Sequence, residues 1–154
     1  MDSSTSTAVP GGLDGQLLQA VTAARHAHEA TAAELVGRVH QGQRLTVQHL
    51  YAAAYSQALR TWWNLVAVQT GKHGLDAACA IQKVRSWVRG HLTNGPGLPI
   101  PERLTDQVLA HTLFEHGLGH VRRVAARDFL ADAGRLLLLA ETPAAGTSEK
   151  EAAK

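Results

Sequence analysis

A single cysteine, Cys79, occurs in 154 residues, so no disulfide framework can staple this chain. The shortage fits a reducing compartment, and a cytoplasmic location is expected. Cys79 stands between alanines in a helical pattern with no cation placed to activate the thiol, which predicts a small buried hydrophobe. Long apolar runs are missing as well. Nothing approaches the ~20 residues of a membrane span, and the longest pure leucine run, Leu136 to Leu139, lies between Arg135 and Glu141. No membrane association is expected. The opening residues, MDSSTSTAVPGG, have neither a basic n-region nor an apolar h-region, so no signal peptide is expected.

Motifs that would announce chemistry are also lacking. There is no Gly-x-Ser-x-Gly and no phosphate-cradling glycine loop, and no paired carboxylates occur in an apolar context. Gly11-Gly12-Leu13-Asp14-Gly15 follows no strand and fails the dinucleotide pattern. No cofactor is expected, and the balance leans away from an enzyme. Charge is in small excess, +2 overall. Residues 45 to 92 hold five cations against one anion, whereas residues 93 to 140 balance. Without a polybasic arm, nucleic acid is a possible partner and not a demanded one.

What is present is helical periodicity. Leu45 to Thr70 is apolar on nearly every face: Val47, Leu50, Tyr51, Ala54, Ala58, Trp62 and Leu65 form one stripe, and Ala52, Leu59, Trp63 and Val66 a second. Only Ala53, Gln57, Arg60 and Asn64 make a polar strip, so this stretch is expected to be a central helix covered on at least two sides. Thr46 is its expected cap and Gly71 its stop. A first helix is expected from about Asp14, as N-cap, to His40, ending at Gly42. A third runs from about Asp76 to Leu92, with Ile81, Val84, Val88 and Leu92 inward and Gln82, Arg85, Ser86 and Arg89 outward.

Asn94-Gly95-Pro96-Gly97-Leu98-Pro99-Ile100-Pro101 then breaks the chain, because its prolines remove amide donors. A long last helical region, about Glu102 to Ala140, follows, and Gly117-Leu118-Gly119 should kink or divide it. Strand signals are weak. The expectation is an all-α, compact bundle of four to five helices. Its single domain spans 13–140, with polar disordered tails at 1–12 and 141–154.

Nine histidines raise the question of a metal. The densest group holds His111, Glu115, His116 and His120, two pairs at i, i+4 spacing. At 100° per residue His116 and His120 lie about 140° and 180° from His111, so a continuous helix separates the pairs. These four are the candidate metal ligands. His28 falls on the apolar stripe of the first helix and is expected half-buried, bonded to a carbonyl. Leu45-Thr46-Val47-Gln48-His49-Leu50 resembles the opening of a helix-turn-helix motif, but no glycine-containing turn follows. Lys83, Arg85 and Arg89, with Arg122, Arg123 and Arg127, could make a phosphate-contacting patch.

The tryptophans read first as core anchors, with Trp62, on the stripe of Leu50, Ala54 and Leu65, expected to pack inward. Phe129 to Ala140 is apolar around its axis, so Leu137 and Leu138, with Trp63, are candidate interface residues. The first helix folding back over that face is the alternative to a second chain. The reading that follows is a non-catalytic helical interaction or regulatory protein that acts through contacts with an unidentified protein partner and forms a homodimer. A DNA-binding regulator comes second and a His-rich metal-binding bundle third.

Overall fold

A computed structural model describes residues 12–94 and 106–153; side chains are described for all of these except Asn94, Asp106, Val108, Leu109 and those beyond Glu141. Among the described residues there are four helices and no strand: α1 (Leu13–His40), α2 (Val47–Gly71), α3 (Ala77–Asn94) and α4 (Asp106–Ala153). The all-α expectation holds. The Pro/Gly-rich loop lies outside the described residues, as does all of the N-terminal tail but Gly12.

α2 begins where its cap chemistry dictates. The Thr46 hydroxyl accepts from the His49 backbone N–H at 3.3 Å, and His49 Nδ1 accepts from the Thr46 N–H at 3.0 Å, a reciprocal pair that satisfies two orphan donors. Six residues that resemble a helix-turn-helix opening are therefore a capped helix start, and no turn interrupts α2 before Gly71. At the start of α1 the cap is Gly12. Asp14 falls inside the first turn, where its carboxylate favours the helix dipole and does not cap. Gly42, at φ +75°, supplies the left-handed residue that ends the α1 turn and sends the chain back along α2.

Helices successive in the chain run antiparallel, so α2 and α4, which meet at Tyr51–Phe114 and at Trp62–Phe129, run parallel. Arg25 and His28 of α1 meet Asn64 and Ser56 of α2, descending as the first numbers rise. Trp62 of α2 meets His91 of α3, and Arg85 of α3 lies against Gly134 of α4. α2 touches all three other helices, as its two apolar stripes require. The core is formed by Trp63 and Val66 of α2, Ile81, Val84 and Val88 of α3, and Ala126, Phe129 and Ala133 of α4, closed by Leu17 and Val21 of α1. Ile81, Val84 and Val88 point inward as their spacing predicts.

Three expectations are corrected here. Trp63, not Trp62, is the deeper anchor: Trp63 is 4% exposed with its ring 4.8 Å from that of Phe129, while Trp62 is half-buried. The stripe starting at Val47 and Leu50 is exposed at its N-terminal end, so the second stripe carries the packing. Cys79 is exposed, because it falls in the first turn of α3 on the side away from Ala77, Ala80 and Ile81. Its backbone N–H donates to Asp76 Oδ1 at 2.8 Å, and the hydrogen bond and charge of that carboxylate push the thiol above its ordinary pKa.

Finally, α4 is not divided at Gly117-Leu118-Gly119. Gly117 serves packing: a Cβ there would lie 1.8 Å from Tyr51 Oη, so only a bare Cα lets that ring lie across α4, stacked 5.9 Å from Phe114.

Candidate functional site

The polar pair that most distinguishes the interior joins residues far apart in sequence. Tyr55 Oη donates to Asp128 Oδ2 at 2.5 Å across the α2–α4 contact, partly buried. This hydrogen bond, followed by burial and the charges of Asp128 and Asp132, pushes the Tyr55 phenol up to about 12. Because its folded pKa is raised above the unfolded value near 10, its stabilising contribution is fully present below pH ~10 and is lost as pH rises through about 12. Tyr55→Phe is expected to cost ~1.5 to 3 kcal/mol near neutral pH, the usual worth of a hydrogen bond to a charged group. The gap between the two proteins in urea unfolding should narrow only above pH ~10. A gap that is already closed at pH 8 would contradict the assignment.

His28 is half-buried, as expected, but its partner is a hydroxyl and not a carbonyl. Ser56 Oγ donates to the Ala53 carbonyl at 3.1 Å, which leaves it to accept from His28 Nδ1 at 3.1 Å. Ser56 is only 6% exposed, so this serine and histidine tie α1 to α2 and present no nucleophile to a substrate.

His111, Glu115, His116 and His120 all stand on one uninterrupted stretch of α4, which keeps the two pairs on nearly opposite sides. Among the described residues no group of three or more His, Cys, Asp or Glu is placed to hold a metal ion.

The six basic candidates divide. Lys83 turns outward with Nζ 5.4 Å from the Trp87 ring centroid. Arg122 lines a recess with Trp62 and His91. The other four share the seam between α3 and α4. A Cβ on Gly134 would lie 3.2 Å from Arg85 Nη2, so the Arg85 guanidinium rests in the notch that this glycine leaves in α4. By helical rotation Arg123 and Arg127 fall within about 20° of Gly134, while Arg122 is about 120° round. Arg85 is therefore only half-exposed, contrary to its expected outward placement. Its Nε is buried with no hydrogen-bond partner among the described residues, a cost of ~1 to 3 kcal/mol. Burial, then the neighbouring charge of Arg89, hold the guanidinium below its ordinary pKa.

The leucine run is split by the core. Leu136 and Leu137 pack against it, whereas Leu138 and Leu139 are 65% and 47% exposed. Trp63 is 4% exposed with its ring against Phe129, and what remains of its surface faces the groove described next. α1 does fold back toward this end of α4 without closing on it. Between them an open groove of about 470 Å³ is walled by Ala20, Ala23, Ala24 and Ala27 on one side and by Leu136 and Leu139 on the other. Leu59 and Trp63 form its floor, and Asp132 and Arg135, which are ion-paired, stand at its edge.

The sequence pointed to the leucines and to the arginines of the seam. It did not reveal Tyr55 with Asp128, separated by 73 positions. Gly134 was the one readable signal for Arg85, since a glycine inside a helix costs ~1 kcal/mol and calls for a reason. No protein-family model, curated protein or solved structure matches the chain. Among the described residues, no helix is long and apolar enough to cross a membrane.

Proposed function

We propose that this protein is a non-catalytic helical interaction module that works as a homodimer, using the groove between α1 and α4. The observation that carries the reading is that groove and knob occur side by side on one chain. Four alanines of α1 line one wall of the slot, Leu139 stands half-exposed on the other, and Leu138 is exposed beside it. A self-complementary patch of this kind is closed by a twofold axis, the commonest symmetry of soluble assemblies. The burial of Ser56 supports a non-catalytic role.

Size-exclusion chromatography of single variants tests this reading. Ala24→Glu and Leu139→Glu, on the two walls, are expected to convert a dimer to a monomer while the circular dichroism spectrum stays helical. Glu29→Ala, on an exposed position of α1, should leave the dimer intact. A wild type that elutes as a monomer, or wall variants that elute as wild type does, would contradict the proposal.

A second reading, a nucleic-acid surface, draws on Arg85, Arg89, Arg123 and Arg127 along the α3–α4 seam. Retention on heparin that falls steeply with salt and is lost in Arg89→Glu would favour it over the first.

A further inference from the structure

The seam between α3 and α4 holds an open recess of about 620 Å³ on the side of α4 away from the α1 groove. Its floor is apolar, built from Leu130, Leu137 and Leu138. One wall carries Arg85, whose Nε is buried with no hydrogen-bond partner among the described residues and whose guanidinium is bedded on Gly134. Arg89 follows one turn along α3 from Arg85, and Arg135 lines the recess from α4. Arg135 is ion-paired with Asp132 and so is already occupied. One anion, Glu141, lines the recess as well.

We propose that this recess binds a single-chain anionic amphiphile, its oxyanion held by Arg85 with the charge of Arg89 one turn away adding to the attraction, and its apolar chain laid over Leu130, Leu137 and Leu138. Two features select this class. The Arg85 guanidinium lines the recess without an ion pair among the described residues, and its fork of N–H groups matches a planar or tetrahedral oxyanion. A free small anion would leave the leucine floor wet, while a neutral chain would leave the guanidinium without a counter-charge, so both halves of the ligand are called for. The shared chemistry, an oxyanion on an alkyl chain, covers a fatty carboxylate and an alkyl phosphate. Arg85 and Arg89 lie away from the α1 groove, whereas Arg135 lines both cavities and Leu138 borders the proposed dimer contact as well, so each titration is paired with sedimentation of the same sample to separate ligand binding from self-association.

Isothermal titration of the full-length protein, below micelle-forming concentrations, tests it with four probes: dodecanoate, dodecyl phosphate, dodecyl maltoside and inorganic phosphate. Dodecanoate or dodecyl phosphate is expected to bind at least tenfold more tightly than either of the other two, and which of them is tighter identifies the oxyanion. Arg85→Met, which keeps the apolar stem, should weaken the preferred probe tenfold or more. Arg89→Gln, at an exposed position, should weaken it without changing the melting temperature. Glu141→Gln should tighten it by removing a competing carboxylate. Equal affinity for the maltoside or for inorganic phosphate, no binding of either anionic amphiphile, or undiminished binding by Arg85→Met that melts as wild type does would each overturn the proposal.

Discussion

Trp63→Ala is expected to lower the stability of the bundle by ~3 to 5 kcal/mol, the cost of removing a large aromatic side chain from a closed core. The indole is 4% exposed, and its ring meets Phe129 edge-on with centroids 4.8 Å apart. It also floors the α1–α4 groove beside Leu59, so its loss opens a void that reaches three helices. For a domain of this size the shift in melting temperature should be ~10 to 20 °C. Trp62→Ala should cost roughly half as much. Its ring is half-buried and lies farther from Phe129, at 6.3 Å and tilted. The contrast between adjacent tryptophans is a sharper test than either value alone, because both have the same chemistry and differ only in direction. Equal shifts, or a larger one for Trp62, would mean that α2 is rotated about its axis from the orientation described.

The second large effect is on α3. Val84 is fully buried between Ile81 and Val88 in the apolar cluster that joins α3 to the rest of the core. Val84→Asp would place a carboxylate with no cation or donor in that cluster, at a cost of several kcal/mol, a large share of the ~5 to 15 kcal/mol that holds a domain folded. The expected result is a protein without a cooperative melt at room temperature. Gln82→Asp, two residues away on the exposed face, should melt within about 0.5 kcal/mol of the wild type. Similar melts for the two would refute the assignment of α3 faces.

Much of the fold was legible because helical periodicity records burial directly. Ile81, Val84 and Val88 recur on one face and are all buried, and the two apolar stripes of the 45–70 stretch required a helix covered by several neighbours, which α2 is. Periodicity fixes faces only to within a residue or so, however. The choice between Trp62 and Trp63 depended on which stripe met Phe129, a contact 66 positions away from Trp63. Cys79 was misplaced for a related reason: in the first turn of a helix, alanine neighbours do not say which side meets the core. Gly117-Leu118-Gly119 reads as a break in the sequence because glycine weakens a helix. Its actual use, a bare Cα under Tyr51, becomes visible only once α2 and α4 are side by side.

The candidate sites follow the same division. Of the two leucines that the sequence marks for an interface, Leu138 is exposed, whereas Leu137 packs against the core and Leu139 is exposed instead, because periodicity alone does not say which of four successive leucines face inward. Arg85 and Arg89 were identifiable as a basic face, but the notch at Gly134 that holds Arg85 depends on the pairing of α3 with α4. Tyr55 and Asp128 had no local signature at all. A tyrosine on a helical stripe reads as core, and an aspartate between arginine and phenylalanine reads as solvated, until the two helices bring them to 2.5 Å.

The central claim, that the α1–α4 groove is closed by a second copy of the chain, is tested most directly by sedimentation equilibrium of the wild-type protein over a range from sub-micromolar to tens of micromolar. A mass of twice the chain at the upper end, falling toward one chain on dilution or in Leu139→Glu, is the expected result. A single-chain mass at every concentration would contradict it.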